Sequence, residues 1–177
     1  MARPRNTPND DGRKERIMAA AVDVLESDGI ERCTARRIAE RAGVPVGSVS
    51  YHFKSKRDIL LGALREIERS RQRDIEEWAA TATAETIERD LARLILMHST
   101  GDGRGLTMVS YELCIMGLRD EEFRRIALGM LYTMQRCLAV ICGPERAACL
   151  ASQVEGVQLD VLLASEPPTL ESIEARL

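Results

Sequence analysis

Aromatic residues make up 3% of this 177-residue chain, and only two residues are histidine. No second His or Cys stands three or four positions from His98, which leaves no paired metal ligand there. The five cysteines, Cys33, Cys114, Cys137, Cys142 and Cys149, form an odd set without a Cys-x-x-Cys pair. Four of them fall in apolar helical stretches, so reduced core thiols are expected rather than disulfides or a metal site. No apolar run approaches the roughly 20 residues of a membrane span, and residues 1–16 are polar throughout. A cytoplasmic protein with no membrane partner is expected. The glycine-rich run Gly101-Asp102-Gly103-Arg104-Gly105 lacks a preceding strand and a following Lys-Ser/Thr, so it reads as an inter-helix loop and not a phosphate cradle. Scattered carboxylates, Tyr111, Tyr132 and His98 make no triad, metal cluster or cofactor turn. The expectation is a protein that is not an enzyme, with no catalytic residue, cofactor or metal.

What remains is helical and unevenly charged. Hydrophobic residues reach 45% and charged ones 30%, a globular composition. Residues 1–57 carry 12 Lys and Arg against 8 Asp and Glu, whereas residues 58–177 carry 13 against 20. A basic front on an acidic remainder points to a polyanion partner for the front alone.

Residues 1–12, with Pro4, Pro8, Gly12, Arg3 and Arg5, read as a flexible basic arm. From Arg13 the apolar residues Ile17, Ala20, Ala21, Val24 and Leu25 recur at helical steps until Gly29. Thr34 then stands where an N-cap belongs, and Gly43 closes a short second helix over Ala35–Ala42. Only Val44 and Pro45 separate it from a third helix, so the two must cross steeply in a helix-turn-helix arrangement. Val49 and Phe53 should face inward against Leu25, Ile38 and Ile59. Gly47 and Ser48 would lie in an exposed first turn, with Tyr51 and His52 projecting toward a phosphate backbone. This division of labour accounts for three adjacent rings in a ring-poor chain.

Residues 13–64 resemble the TetR family of bacterial transcriptional regulators. The resemblance rests on Thr34-x-x-x-Ile38-Ala39, Ala42-Gly43-Val44, Gly47, Tyr51-His52-Phe53 and Ser55-Lys56 followed by Asp58, Ile59 and Leu60. It implies a DNA-reading head in which Thr34 caps and touches phosphate and Arg36 reaches a guanine edge or the backbone. Gly47, Ser48, Ser50, Tyr51 and His52 would line the groove, and Lys56 would hold phosphate. Pro45 and Ser50 depart from the family's usual Ser or Thr and Tyr, removing one phosphate hydroxyl and one large contact. Of Arg37 and Arg41, four apart and turned away from Arg36, one is expected to be merely solvated.

The expected fold is all-α: an arm over 1–12, a three-helix DNA-binding domain over 13–58, and a helical effector-binding and dimerisation domain over 59–177. Helices are expected at about 84–99, 106–118, 121–141 and 145–165, with a short closing helix from Thr169. Leu150, Val154, Gly156, Val157, Val161 and Leu162 share a stretch whose counterpart in the family forms a dimer interface; an intrachain contact is the alternative. An effector pocket would draw on Leu94, Met97, His98, Met108, Tyr111, Cys114, Ile115 and Met130, a Met-rich set suited to an apolar small molecule. The implied function is a repressor that binds a palindromic stretch of double-stranded DNA as a homodimer and is released by a small molecule. A helical interaction module whose helix-turn-helix no longer binds DNA is the other reading.

Overall fold

A computed structural model describes residues 12–177, so the expected basic arm lies, Gly12 excepted, outside the described residues. Nine helices and no strand occur among the described residues, an all-α fold. The chain divides into two compact units, one ending at Leu64 and the other running Arg65–Leu177. The division falls inside a helix and not at residue 58, because Ile59, Leu60, Ala63 and Leu64 are all buried in the first unit.

The first unit holds α1 (Arg13–Arg32), α2 (Ala35–Ala42), α3 (Val46–His52) and the start of α4 (Lys56–Ala79). α1 buries Ile17, Ala20, Ala21, Val24 and Leu25 and breaks its helical geometry at Gly29, where φ is 78°. The Thr34 side chain accepts the Arg37 N–H at 3.4 Å, supplying one of the donors that the first turn of α2 leaves unpaired. Gly43 ends α2 at φ 65°, a left-handed conformation that costs a residue with a Cβ roughly 1–2 kcal/mol. Its N–H returns to the carbonyls of Ala39 and Glu40, and the chain turns into α3 through Pro45. Val49 is fully buried beneath α3, Phe53 is buried just past its end, and Leu25, Ile38 and Leu64 are among the largest sealed side chains.

The second unit continues α4 and adds α5 (Ile87–Ser99), α6 (Gly103–Gly117), α7 (Glu121–Cys142), α8 (Pro144–Leu163) and α9 (Leu170–Glu174). One core cluster joins Ile87, Leu91 and Ile95 of α5 with Leu138 of α7, Leu150, Val154, Val157 and Val161 of α8, and Ile173 of α9. α6 begins at Gly103, three residues before the expected start, so three of the five residues of the glycine run are helix and not loop. α7, capped by Asp120 through the Glu122 N–H at 2.9 Å, packs mainly between α6 and α8. It is the one described helix long and apolar enough, by length and composition alone, to cross a membrane. In the structure Phe123, Ile126, Ala127, Met130, Thr133 and Leu138 are buried as a core helix would bury them.

Candidate DNA-reading helix and interior cavity

α3 offers its outer surface with little internal use for it. Val46, Gly47 and Ser50 are exposed, Tyr51 is 83% exposed, and Ser48 and His52 are half-buried. Tyr51 and His52 meet edge to face, ring centroids 5.1 Å apart, which holds the phenol and imidazole side by side. A Cβ at Gly47 would meet nothing in the chain, so the protein's own packing does not require the missing side chain there.

The basic residues around α3 divide by partner. Arg36 is 83% exposed and, among the described residues, bonds only to Glu40, at 3.0 Å, an exposed pair of little net strength. Arg37 pairs with Asp28, and Arg41 reaches Asp23 at 3.9 Å and the Ser27 hydroxyl at 3.5 Å. Both therefore tie α2 to α1, correcting the expectation that one would be merely solvated; the step of four along α2 matches acidic and hydroxyl residues on α1. Lys56 donates its ammonium to the Glu31 carbonyl at 2.8 Å, so it closes the end of α1 while its exposed head keeps N–H groups for another acceptor.

In the second unit, Arg71, Ser110, Tyr111, Cys114, Met130, Leu131, Glu155 and Gln158 line a small cavity together with Thr107 and Ala127. Its volume is about 20 Å³, room for roughly one water. The Tyr111 hydroxyl donates to the Glu155 carbonyl at 2.9 Å, and an Arg71 N–H to the Ser110 hydroxyl at 3.5 Å. Burial pushes the Glu155 carboxyl up, against the opposing pull of Arg71. Burial also raises the Tyr111 hydroxyl and the Cys114 thiol.

Of the eight residues expected around an effector, Tyr111, Cys114 and Met130 line this cavity. Met97, Met108 and Ile115 are exposed instead, because Met108 and Ile115, seven apart on α6, occupy the face opposite the buried Val109 and Leu113. Leu94 packs against the α5–α8–α9 core. His98 does not line the cavity; it is half-buried, its carbonyl accepts the hydroxyl of the lining residue Thr107 at 2.6 Å, and burial followed by the Arg71 charge lowers its pKa. Arg71, Ser110, Glu155 and Gln158 escaped the reading. The one signal for the last two was polarity in an otherwise apolar stripe of α8.

The stripe expected at a dimer contact is also reassigned. Leu150, Val154, Val157, Val161 and Leu162 are buried within the single chain, where α5 and α9 already cover most of the stripe. Gly156 alone of that set is exposed, on the same outer face as Ser152, Leu159 and Leu163. Beside it a groove of α7 and α8 is lined by Leu131, Tyr132, Gln135, Ala148, Ala151, Ser152 and Glu155. Among the described residues no group of His, Cys, Asp and Glu is arranged to hold a metal ion. The five cysteines are free thiols; Cys149 is exposed, not core.

A capped helix-turn-helix with a bare outer helix, joined to a second helical unit with its own core, is the build of a DNA-binding transcriptional regulator. Comparison with known proteins gives the family. The family model for bacterial regulatory proteins, tetR family, matches residues 17–63. A solved TetR-family member from Streptomyces coelicolor A3, SCO1917, is 30% identical and superposes with a TM-score of 0.76 over 95% of each chain. The multidrug binding protein EbrR is likewise 30% identical, with a TM-score of 0.74 over 92% of this chain and 96% of that one. The transcriptional regulator BetI of Klebsiella pneumoniae (strain 342) is 24% identical across 88% of this chain and 85% of its own. The chain belongs to the TetR family.

Proposed function

We propose that the protein is a homodimeric repressor that reads a palindromic operator and lets go of it when a small molecule enters the second unit. The observation that carries the reading is α3: Val49 is sealed beneath it while Gly47, Ser50 and Tyr51 stand bare on its outer side. Thr34, Ser48, His52 and the remaining Lys56 N–H groups supply phosphate contacts, and Arg36 reaches a base edge. Regulation draws support from EbrR, which has been solved with proflavin, ethidium and malachite green. In this chain the polar cavity between α4, α6, α7 and α8 is the counterpart we assign.

Dimerisation follows from the need to read enough bases. One seven-residue helix makes few base contacts, whereas two heads about 34 Å apart address successive major grooves. The outer faces of α7 and α8 are the mating surface, since Tyr132, Val140, Leu159 and Leu163 are exposed there beside the bare Gly156. A second copy would bury this apolar patch.

Fluorescence anisotropy on duplexes selected from a random pool tests the reading. Log K should fall linearly with log salt, at about 0.9 per phosphate contacted. Tyr51→Ala should weaken binding to every duplex alike, whereas Arg36→Ala should also blur preference at one base pair, by about 1–3 kcal/mol. A chain that enriches no duplex and shows no salt slope would instead be a helical interaction module.

A further inference from the structure

Two opposite charges line the interior cavity without closing on each other. Arg71 arrives from α4 and Glu155 from α8. Among the described residues they form no ion pair with one another. Arg71 spends a long, 3.5 Å bond on the Ser110 hydroxyl, and the Tyr111 hydroxyl donates to the backbone carbonyl of Glu155 at 2.9 Å. A salt bridge kept only for the fold would be closed and fully hydrogen-bonded, because charges withdrawn from water and left apart are not compensated by mutual attraction. The space between them holds about one water, which can bridge them when nothing else is bound.

The charge pattern restricts what could replace that water. A purely apolar molecule would leave both charges stranded. A singly charged one would satisfy one wall and be repelled by the other. We infer that the cavity takes a small zwitterion, its ammonium held by the Glu155 carboxylate, its carboxylate by the Arg71 guanidinium, and its apolar body against Met130 and Leu131. This revises the apolar effector that the Met-rich composition suggested, and it rests on the cavity being the effector site proposed above.

The test uses four compounds on the full-length protein. L-phenylalanine, phenethylamine and 3-phenylpropionate share a ring but carry both charges, the ammonium alone and the carboxylate alone; ethidium serves as a bulky cation. Calorimetry gives affinity, and peptide-mapped maleimide labelling of Cys114, which lines the cavity, reports occupancy. Phenylalanine should bind at least tenfold more tightly than either single-charge analogue and slow Cys114 labelling. Glu155→Gln should reduce it to the level of 3-phenylpropionate, and Arg71→Gln to that of phenethylamine. If phenethylamine and ethidium bind as well as phenylalanine and Arg71→Gln changes nothing, the zwitterion assignment is wrong. If every compound protects Cys114 equally, the cavity stands as an effector site but the charge assignment fails. If none binds or protects Cys114, the zwitterion is overturned. Operator release by another compound without Cys114 protection would then overturn the cavity itself. The wild-type affinity series decides the matter even if a variant does not fold.

Discussion

Gly156 gives the sharpest test of the proposed pairing, because its effects on one chain and on two have opposite sign. It sits mid-helix in α8, exposed, and a Cβ there would meet nothing within 4 Å. Within one chain, Gly156→Ala should therefore recover the helix propensity that glycine forfeits, about 1 kcal/mol. For a chain of this length that corresponds to a rise in Tm of about 2–4 °C. A partner helix crossing at the same spot reverses the balance for a larger side chain. Helix axes pack about 8–10 Å apart, and a glycine permits the short end of that range. Gly156→Leu would overpack such a crossing by about 1–3 kcal/mol for each copy. Two copies related by symmetry then weaken the dimer by at least about 2 kcal/mol, roughly 30-fold in dissociation constant. Sedimentation equilibrium measures that constant, and guanidinium unfolding in parallel shows whether each chain stays folded. A Gly156→Leu protein that is folded and dimerises within twofold of wild type would remove α8 from the interface.

Three further outcomes follow. Ile38→Ala, at a fully buried position under the reading head, should cost about 2–5 kcal/mol and abolish operator binding through unfolding, read by near-UV circular dichroism. Glu155→Gln should leave stability unchanged in acid and raise it as pH climbs past the ordinary carboxylate value of 4.5. Burial raises the folded-state pKa of Glu155, so wild type loses stability as that group ionises, whereas glutamine does not; urea melts across pH 3–8 measure the difference. Finally, the exposed Cys149 should react with maleimide at pH 8 within minutes. Cys33, buried and with its thiol pushed up to about 11, should react only as the first unit opens, and mass spectrometry separates the two.

The reading head was legible in the sequence because its signals are local. Thr34, Gly43 and Pro45 act within a few residues of themselves, and each stands at a helix boundary in the structure. Val49 and Phe53 announce burial through spacing alone, and both are buried. The second unit was less legible because its decisive facts are pairwise. An apolar stripe on α8 is equally consistent with a partner chain and with α5 and α9, and only the tertiary arrangement decides. Composition likewise drew attention to Met97 and Met108, whereas the cavity took Arg71, Ser110 and Glu155, polar residues from helices far apart in sequence. Arg37 and Arg41 repeat the lesson, since the partners on α1 that hold them cannot be seen from α2 alone.

The narrowness of the space beside Tyr111 has a kinetic corollary. A compound larger than water cannot touch Arg71 and Glu155 together until the helices around them part. Its observed association rate should level off at high concentration, at the frequency with which the protein opens by itself. The delay between the arrival of a signal and the switching of genes is then a property of the sensor's breathing, insensitive to how abundant the signal becomes.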